Sequence, residues 1–135
     1  MSWIPTAAYL CGVEGTIIRR VLLVEDDPGV REAIRTLLVR VGYQVAAATN
    51  GVEAWELLAR GPRFAAILLD LYTPRMTGHD LVARVRRSPR LSRVPIIAMS
   101  GERGPAVPAA HAFLQKPFSR EELERALASV GASGS

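Results

Sequence analysis

Cysteine is nearly absent. Cys11 stands alone in 135 residues, so no internal disulfide can form, nothing points to an oxidising compartment, and Cys11 reads as a free thiol. Long apolar runs are missing as well. No segment reaches the ~20 apolar residues needed to cross a bilayer, and MSWIPTAAYLCGVEG at the N-terminus has no basic residue ahead of its apolar stretch, unlike a secretory leader. The expectation is a cytoplasmic protein with no membrane association. Low-complexity tracts and internal repeats are also lacking. With 49% hydrophobic and 22% charged residues, the chain suits one globular domain that buries a core without disulfides or a structural metal.

Lysine is scarcer still in proportion: Lys116 is the single lysine among 17 basic residues. The formal net charge of +4 raises the question of nucleic acid, because basic surfaces attract phosphate non-specifically. The basic residues are scattered, however, with one modest cluster at Arg84, Arg86, Arg87, Arg90 and Arg93. No helix-turn-helix or aromatic-basic pattern accompanies them, so they read as solvated helix faces and direct nucleic-acid binding is not expected.

What is present is an alternation. From Arg19 onward, short apolar runs alternate with longer segments of helical period, the pattern of a parallel sheet covered by helices. VLLV (21–24), YQVAAA (43–48), FAAILL (64–69), VPIIAM (94–99) and AFLQ (112–115) read as five strands, several apolar enough to be buried on both faces. Between the first two, Val30, Ala33, Ile34, Leu37, Leu38 and Val41 form an apolar helical stripe. Asp27 is placed to cap that helix, with Pro28 at its first position and Gly42 as its stop. Further helices are predicted over 51–60, with Trp55 and Leu58 inward, and over 78–87, with Leu81, Val82 and Val85 inward. A last helix opens at Ser119, where Glu122 completes a capping box, and buries Leu123, Ala126, Leu127 and Val130. The domain is expected to span 17–130, after an N-terminal extension (1–16) read as a loose start and before a flexible tail (131–135).

In an open parallel sheet, ligands bind beyond the carboxyl ends of the strands. Here strand one ends in Glu25-Asp26-Asp27, strand three in Asp70, strand four in Ser100 and strand five in Lys116. A carboxylate cluster is costly, since two unit charges ~4 Å apart repel by about 4 kcal/mol at an effective dielectric of 20. A cation relieves that cost. Hard oxygen donors with no nearby Cys or His pair favour Mg²⁺ over zinc. Shielded in this way, Asp70 can attack an activated phosphorus. Lys116 and Ser100 suit the stabilisation of phosphoryl oxygens, and a compact ammonium approaches phosphate and carboxylate where a planar guanidinium would not fit. A cis peptide before Pro117 would set the turn that aims Lys116.

VLLVEDD at 21–27, ILLDLYTPRMTG at 67–78, PIIAMSG at 95–101 and FLQKPF at 113–118 occur in the order seen in the receiver domain of bacterial two-component response regulators, which residues 19–130 resemble. The resemblance implies a doubly wound, flavodoxin-like α/β fold with a five-stranded parallel sheet. It further implies an aspartyl phosphate at Asp70, with the phosphoryl group donated by a histidine kinase or histidine phosphotransfer protein. Glu25 and Asp26 match the family's acidic pair, Asp26 being the direct metal ligand; an alternative register makes Asp26 and Asp27 the pair. The Tyr72 backbone carbonyl matches the third protein ligand to Mg²⁺. Ser100 matches the hydroxyl that moves to the phosphate, Gly101 is small enough for its N–H to approach it, and Phe113 matches an aromatic whose rotation accompanies activation, although an aromatic on a strand also reads simply as core.

The chain departs from its family between strands four and five. GERGPAVPAAH (101–111) is broken by Gly101, Gly104, Pro105 and Pro108, and an interior proline costs a helix about 3 kcal/mol. The helix usual there, the fourth in the family, is expected to be missing or reduced to one turn. Tyr72 and Thr73 replace more usual residue types, and Tyr72 and Glu102 sit where they would tune phosphoryl lifetime. The leading expectation is a stand-alone phosphoreceiver acting on a downstream protein that the sequence does not identify. One rival is a receiver-like scaffold that signals without phosphorylation. The other is an independent phosphatase or phosphotransferase with an aspartyl intermediate, for which no substrate pocket is evident.

Overall fold

A computed structural model of the chain describes residues 19–72, 75–101 and 110–131. Five strands, β1 (Arg20–Val24), β2 (Gln44–Ala48), β3 (Ala66–Asp70), β4 (Ile96–Ser100) and β5 (Ala112–Gln115), form one sheet in the order β2-β1-β3-β4-β5. Every neighbouring pair is parallel. Four helices are described: α1 (Pro28–Arg40), α2 (Gly51–Arg60), α3 (Gly78–Arg87) and α4 (Arg120–Ser129). This is the doubly wound α/β sheet that the alternation predicts.

Alternation along the central strands separates two cores. Val21 and Leu23 of β1, Leu68 of β3 and Ile97 and Met99 of β4 face α1 and α4, where Ile34, Leu38, Leu123 and Leu127 meet them. Leu22, Val24, Ile67, Leu69 and Ile96 face α2 and α3, against Ala54, Leu58, Leu81, Val82 and Val85. β3 and β4 are buried throughout and β1 nearly so, so both faces of each are covered by helices.

Local signals set the ends of the elements. The Asp27 carboxylate accepts from the Val30 N–H at 3.0 Å, Pro28 opens α1, and Gly42 follows it at φ 104°, a left-handed turn that a side chain would strain. Ser119 and Glu122 complete the capping box of α4 in both directions. Two details differ from the sequence pattern. Ala33 is exposed on α1, because the buried stripe there narrows to Ile34 and Leu38. Trp55 is only partly buried, its ring covered by the Arg84 guanidinium 4.5 Å away.

Of the segment expected to lack a full helix, 101–111, residues 102–109 lie outside the described residues, as do Thr73, the extension 1–16 and all of the tail except Gly131. No described helix is long and apolar enough to cross a membrane.

Candidate functional site

Parallel pairing brings the chemically active strand ends to one edge. Asp70 pairs with Met99 and Ser100 with Gln115, which immediately precedes Lys116. Three of the four buried polar or charged residues described are Glu25, Asp70 and Ser100, at 1%, 6% and 1% exposure. Buried polar groups require partners, and Lys116 supplies two of them. Its Nζ lies 2.7 Å from Glu25 Oε1 and 3.0 Å from Asp70 Oδ2, while its backbone N–H donates to the Ser100 carbonyl at 2.8 Å. The Lys116–Pro117 peptide is cis.

The electrostatics follow from this crowding. Burial pushes the Glu25 carboxyl above its usual range and the nearby Asp70 charge adds to the rise, against the bond from Lys116. Burial alone would lower the Lys116 ammonium, but hydrogen bonds and charge from both carboxylates outweigh it and the net shift is upward. A charged ammonium thus faces more than one carboxylate.

Glu25, Asp26 and Asp70 can each turn one carboxylate oxygen to within 4.8 Å of the others, a separation that a single metal ion can bridge. The donors are hard oxygens, which fit Mg²⁺ and not a thiolate- or imidazole-seeking metal. Asp27 is outside this cluster: its carboxylate accepts from the Val30 N–H at the start of α1, and the grouping of Glu25 and Asp26 with Asp70 follows the first of the two registers and not the one that pairs Asp26 with Asp27. Glu25 Oε2 also accepts from the Asp27 N–H at 3.2 Å.

Tyr72 donates its backbone N–H to Asp70 Oδ1 at 3.0 Å, which orients the carboxylate from the side opposite Lys116. The Tyr72 ring is 54% exposed and meets His79 edge-on, with centroids 6.3 Å apart. Gly101 is exposed, and a Cβ there would meet nothing within 4 Å among the described residues. Phe113 is 37% exposed. It pairs with Ala98 on the α2/α3 side of edge strand β5, which overturns its reading as simple core.

Several supporting residues escaped the sequence reading. Arg31 reaches back from α1 to the carbonyls of Glu25 and Asp26, at 3.0 and 3.4 Å. A Cβ on Gly78 would lie 2.7 Å from Leu71 Cα and 2.8 Å from the Asp70 carbonyl oxygen, so this glycine lets α3 start against the Asp70 turn. Gly51 likewise packs on Met76, to whose carbonyl it donates at 3.1 Å. A basic residue six positions after Glu25 and glycines at the first positions of α2 and α3 were the available signals, but each became meaningful only once the chain was folded.

Comparison with known proteins agrees with the fold. The response regulator receiver domain family matches residues 21–128. The chain belongs to this family. It is 36% identical over 115 residues to the chemotaxis protein CheY1 of Helicobacter pylori, covering 80% of this chain and 93% of that one. It is 33% identical to the rice two-component response regulator ORR7 over 78% of this chain, but spans only about half of that protein, 53%. Among solved structures, the receiver domain of the sensor histidine kinase PA1611 from Pseudomonas aeruginosa, with magnesium coordinated in its active-site cleft, superimposes with a TM-score of 0.75 at 32% identity, covering 84% of this chain and 98% of that one. The response regulator TrrA of Thermotoga maritima, in complex with Mg²⁺ and BeF, also gives 0.75, at 25% identity over 83% and 98% of the two chains.

Proposed function

We propose that this receiver domain accepts a phosphoryl group on Asp70 in a Mg²⁺-dependent reaction and thereby changes its binding to a downstream protein. The observation that carries this reading is the half-buried Lys116 ammonium bonded to both of the buried carboxylates Glu25 and Asp70, beside a set of oxygens suited to a hard dication. The donor is a phosphohistidine of a kinase or phosphotransfer protein. One Asp70 oxygen attacks the phosphorus, a P–O bond forms as the P–N bond breaks, and the leaving imidazole takes up a proton.

Asp26, Asp70 and the Tyr72 carbonyl hold the metal, with Glu25 supporting them. Bound Mg²⁺ supplies positive charge against the carboxylate and phosphoryl oxygens. Lys116 exchanges part of its contact with Asp70 for a phosphoryl oxygen, and the Ser100 hydroxyl and Gly101 N–H donate to the others. Phe113 reports the change at β5, and Tyr72 limits the access of water to the acyl phosphate.

Incubation with Mg²⁺ and acetyl phosphate, followed by intact mass measurement, tests the proposal. A single added phosphoryl group, lost in Asp70→Asn and on chelation of Mg²⁺, is the expected result. No labelling under any condition favours the scaffold reading, and steady turnover of the donor without a labelled protein favours an enzyme.

A further inference from the structure

The acidic turn leaves β1 at Val24, and its backbone then loses its neighbours unequally. The Glu25 N–H still donates to the Ala48 carbonyl at 3.0 Å. The carbonyls of Glu25 and Asp26 receive no backbone N–H among the described residues. A single guanidinium takes that place, with Arg31 Nη1 3.0 Å from the Glu25 oxygen and 3.4 Å from the Asp26 oxygen. Arg31 is itself anchored, because its backbone N–H donates to the Asp27 carbonyl at 2.8 Å in the first turn of α1.

The two carboxylates of this turn differ in how they are held. Glu25 is buried and bonded to Lys116 and to the Asp27 N–H. Asp26 is exposed, and among the described residues no hydrogen bond to its carboxylate is present. Its aim toward Asp70 is therefore set by the backbone of the turn, whose carbonyls Arg31 holds. We propose that Arg31 is a positioning residue for the metal site, fixing the Glu25-Asp26 turn so that the Asp26 carboxylate meets Asp70 around one divalent cation. This rests on the Mg²⁺ reading of the site given above.

Two effects of the guanidinium oppose each other. Its positive charge repels a dication, so removing it would tighten binding if charge prevailed. Its hydrogen bonds preorganise the turn, and loss of such outer partners typically weakens metal affinity by about 10- to 100-fold. Arg31 is only partly buried, so solvent and salt screen its charge, whereas the bonds to the carbonyls are direct. Positioning is thus the larger effect.

Calorimetric titration of the full chain with Mg²⁺ alone separates these possibilities. The expected result is an affinity at least ~10-fold weaker in Arg31→Ala than in the parent, with Arg31→Lys between the two, because lysine keeps the charge but its side chain ends one atom short of the position from which Arg31 Nη1 meets both carbonyls. Binding by Arg31→Ala as tight as the parent's, or tighter, would overturn the proposal. If Arg31→Ala does not fold, as judged by its thermal transition, Arg31→Lys decides, and parental affinity in that variant overturns it. A parent that fails to bind Mg²⁺ removes the metal site itself, a different failure from a parent that binds while the variants are unaffected.

Discussion

Replacing Asp70 with asparagine removes one of the two carboxylates bonded to the Lys116 ammonium, and its consequences for stability and for function run in opposite directions. In the metal-free protein the substitution relieves repulsion with buried Glu25, whose upward shift already reflects burial and the Asp70 charge. Asp70→Asn is expected to raise the unfolding free energy in urea with EDTA by about 1 kcal/mol, a typical gain when a strained functional site is relaxed, while abolishing phosphoryl labelling. Lower stability in the variant would mean that the cluster is not under electrostatic strain. Lys116→Ala acts the other way, leaving Glu25 and Asp70 without their shared cation, and should cost roughly 3 kcal/mol in the same measurement. Tyr72→Ala, which keeps the backbone N–H to Asp70 Oδ1 but removes the ring, should shorten the lifetime of the phosphorylated form; equal decay rates would take the ring out of the account.

Among the elements, α3 and β4 are tied together by contacts that no local pattern announces. His111 Nδ1 accepts from the Ile96 N–H at 3.1 Å and from Arg86 at 3.2 Å, and Arg86 also donates to the carbonyls of Ser92 and Val94, both at 2.9 Å. Burial, followed by the Arg86 charge, lowers the His111 pKa below its usual 6.5. The folded state therefore binds fewer protons than the unfolded chain, and this contribution to stability is complete above pH ~6.5 and declines as the pH falls below it. Urea unfolding of the parent between pH 7 and pH 5 should show this loss, and His111→Gln should flatten it; parallel profiles would contradict the assignment. Gly78→Ala would drive a Cβ into the Leu71 backbone and the Asp70 carbonyl, at a cost of about 1–3 kcal/mol, readable as a lower urea midpoint.

These contacts also mark the limit of what the chain discloses before it folds. Asp27, Pro28 and Gly42 announce the ends of α1, and Ser119 with Glu122 announces the start of α4, because caps act over three or four residues. Glu25, Asp70, Ser100 and Lys116 were legible because strand ends in a parallel sheet converge by topology. Arg31 on the Glu25 and Asp26 carbonyls, Gly51 on Met76 and Arg86 on His111 were not, since each depends on side chains or backbones meeting only after the helices dock. The two readings of Phe113, switch aromatic or core, stayed open for a related reason: strand order makes β5 an edge, and sequence alone does not say which side of it is covered.

At the scale of the whole molecule, two cores on opposite faces of one sheet hold β1, β3 and β4 rigidly enough to present acidic, hydroxyl and ammonium groups at one edge. The receiver fold accounts for that placement. Phosphorylation is the function this reading attaches to it, and it depends on Asp70 being the acceptor and on a divalent cation. Intact mass after treatment with acetyl phosphate and Mg²⁺ is the most direct measurement. One phosphoryl group on the parent and none on Asp70→Asn or after EDTA treatment is the expected result; an unlabelled parent, or equal labelling of Asp70→Asn, would contradict phosphorylation at Asp70.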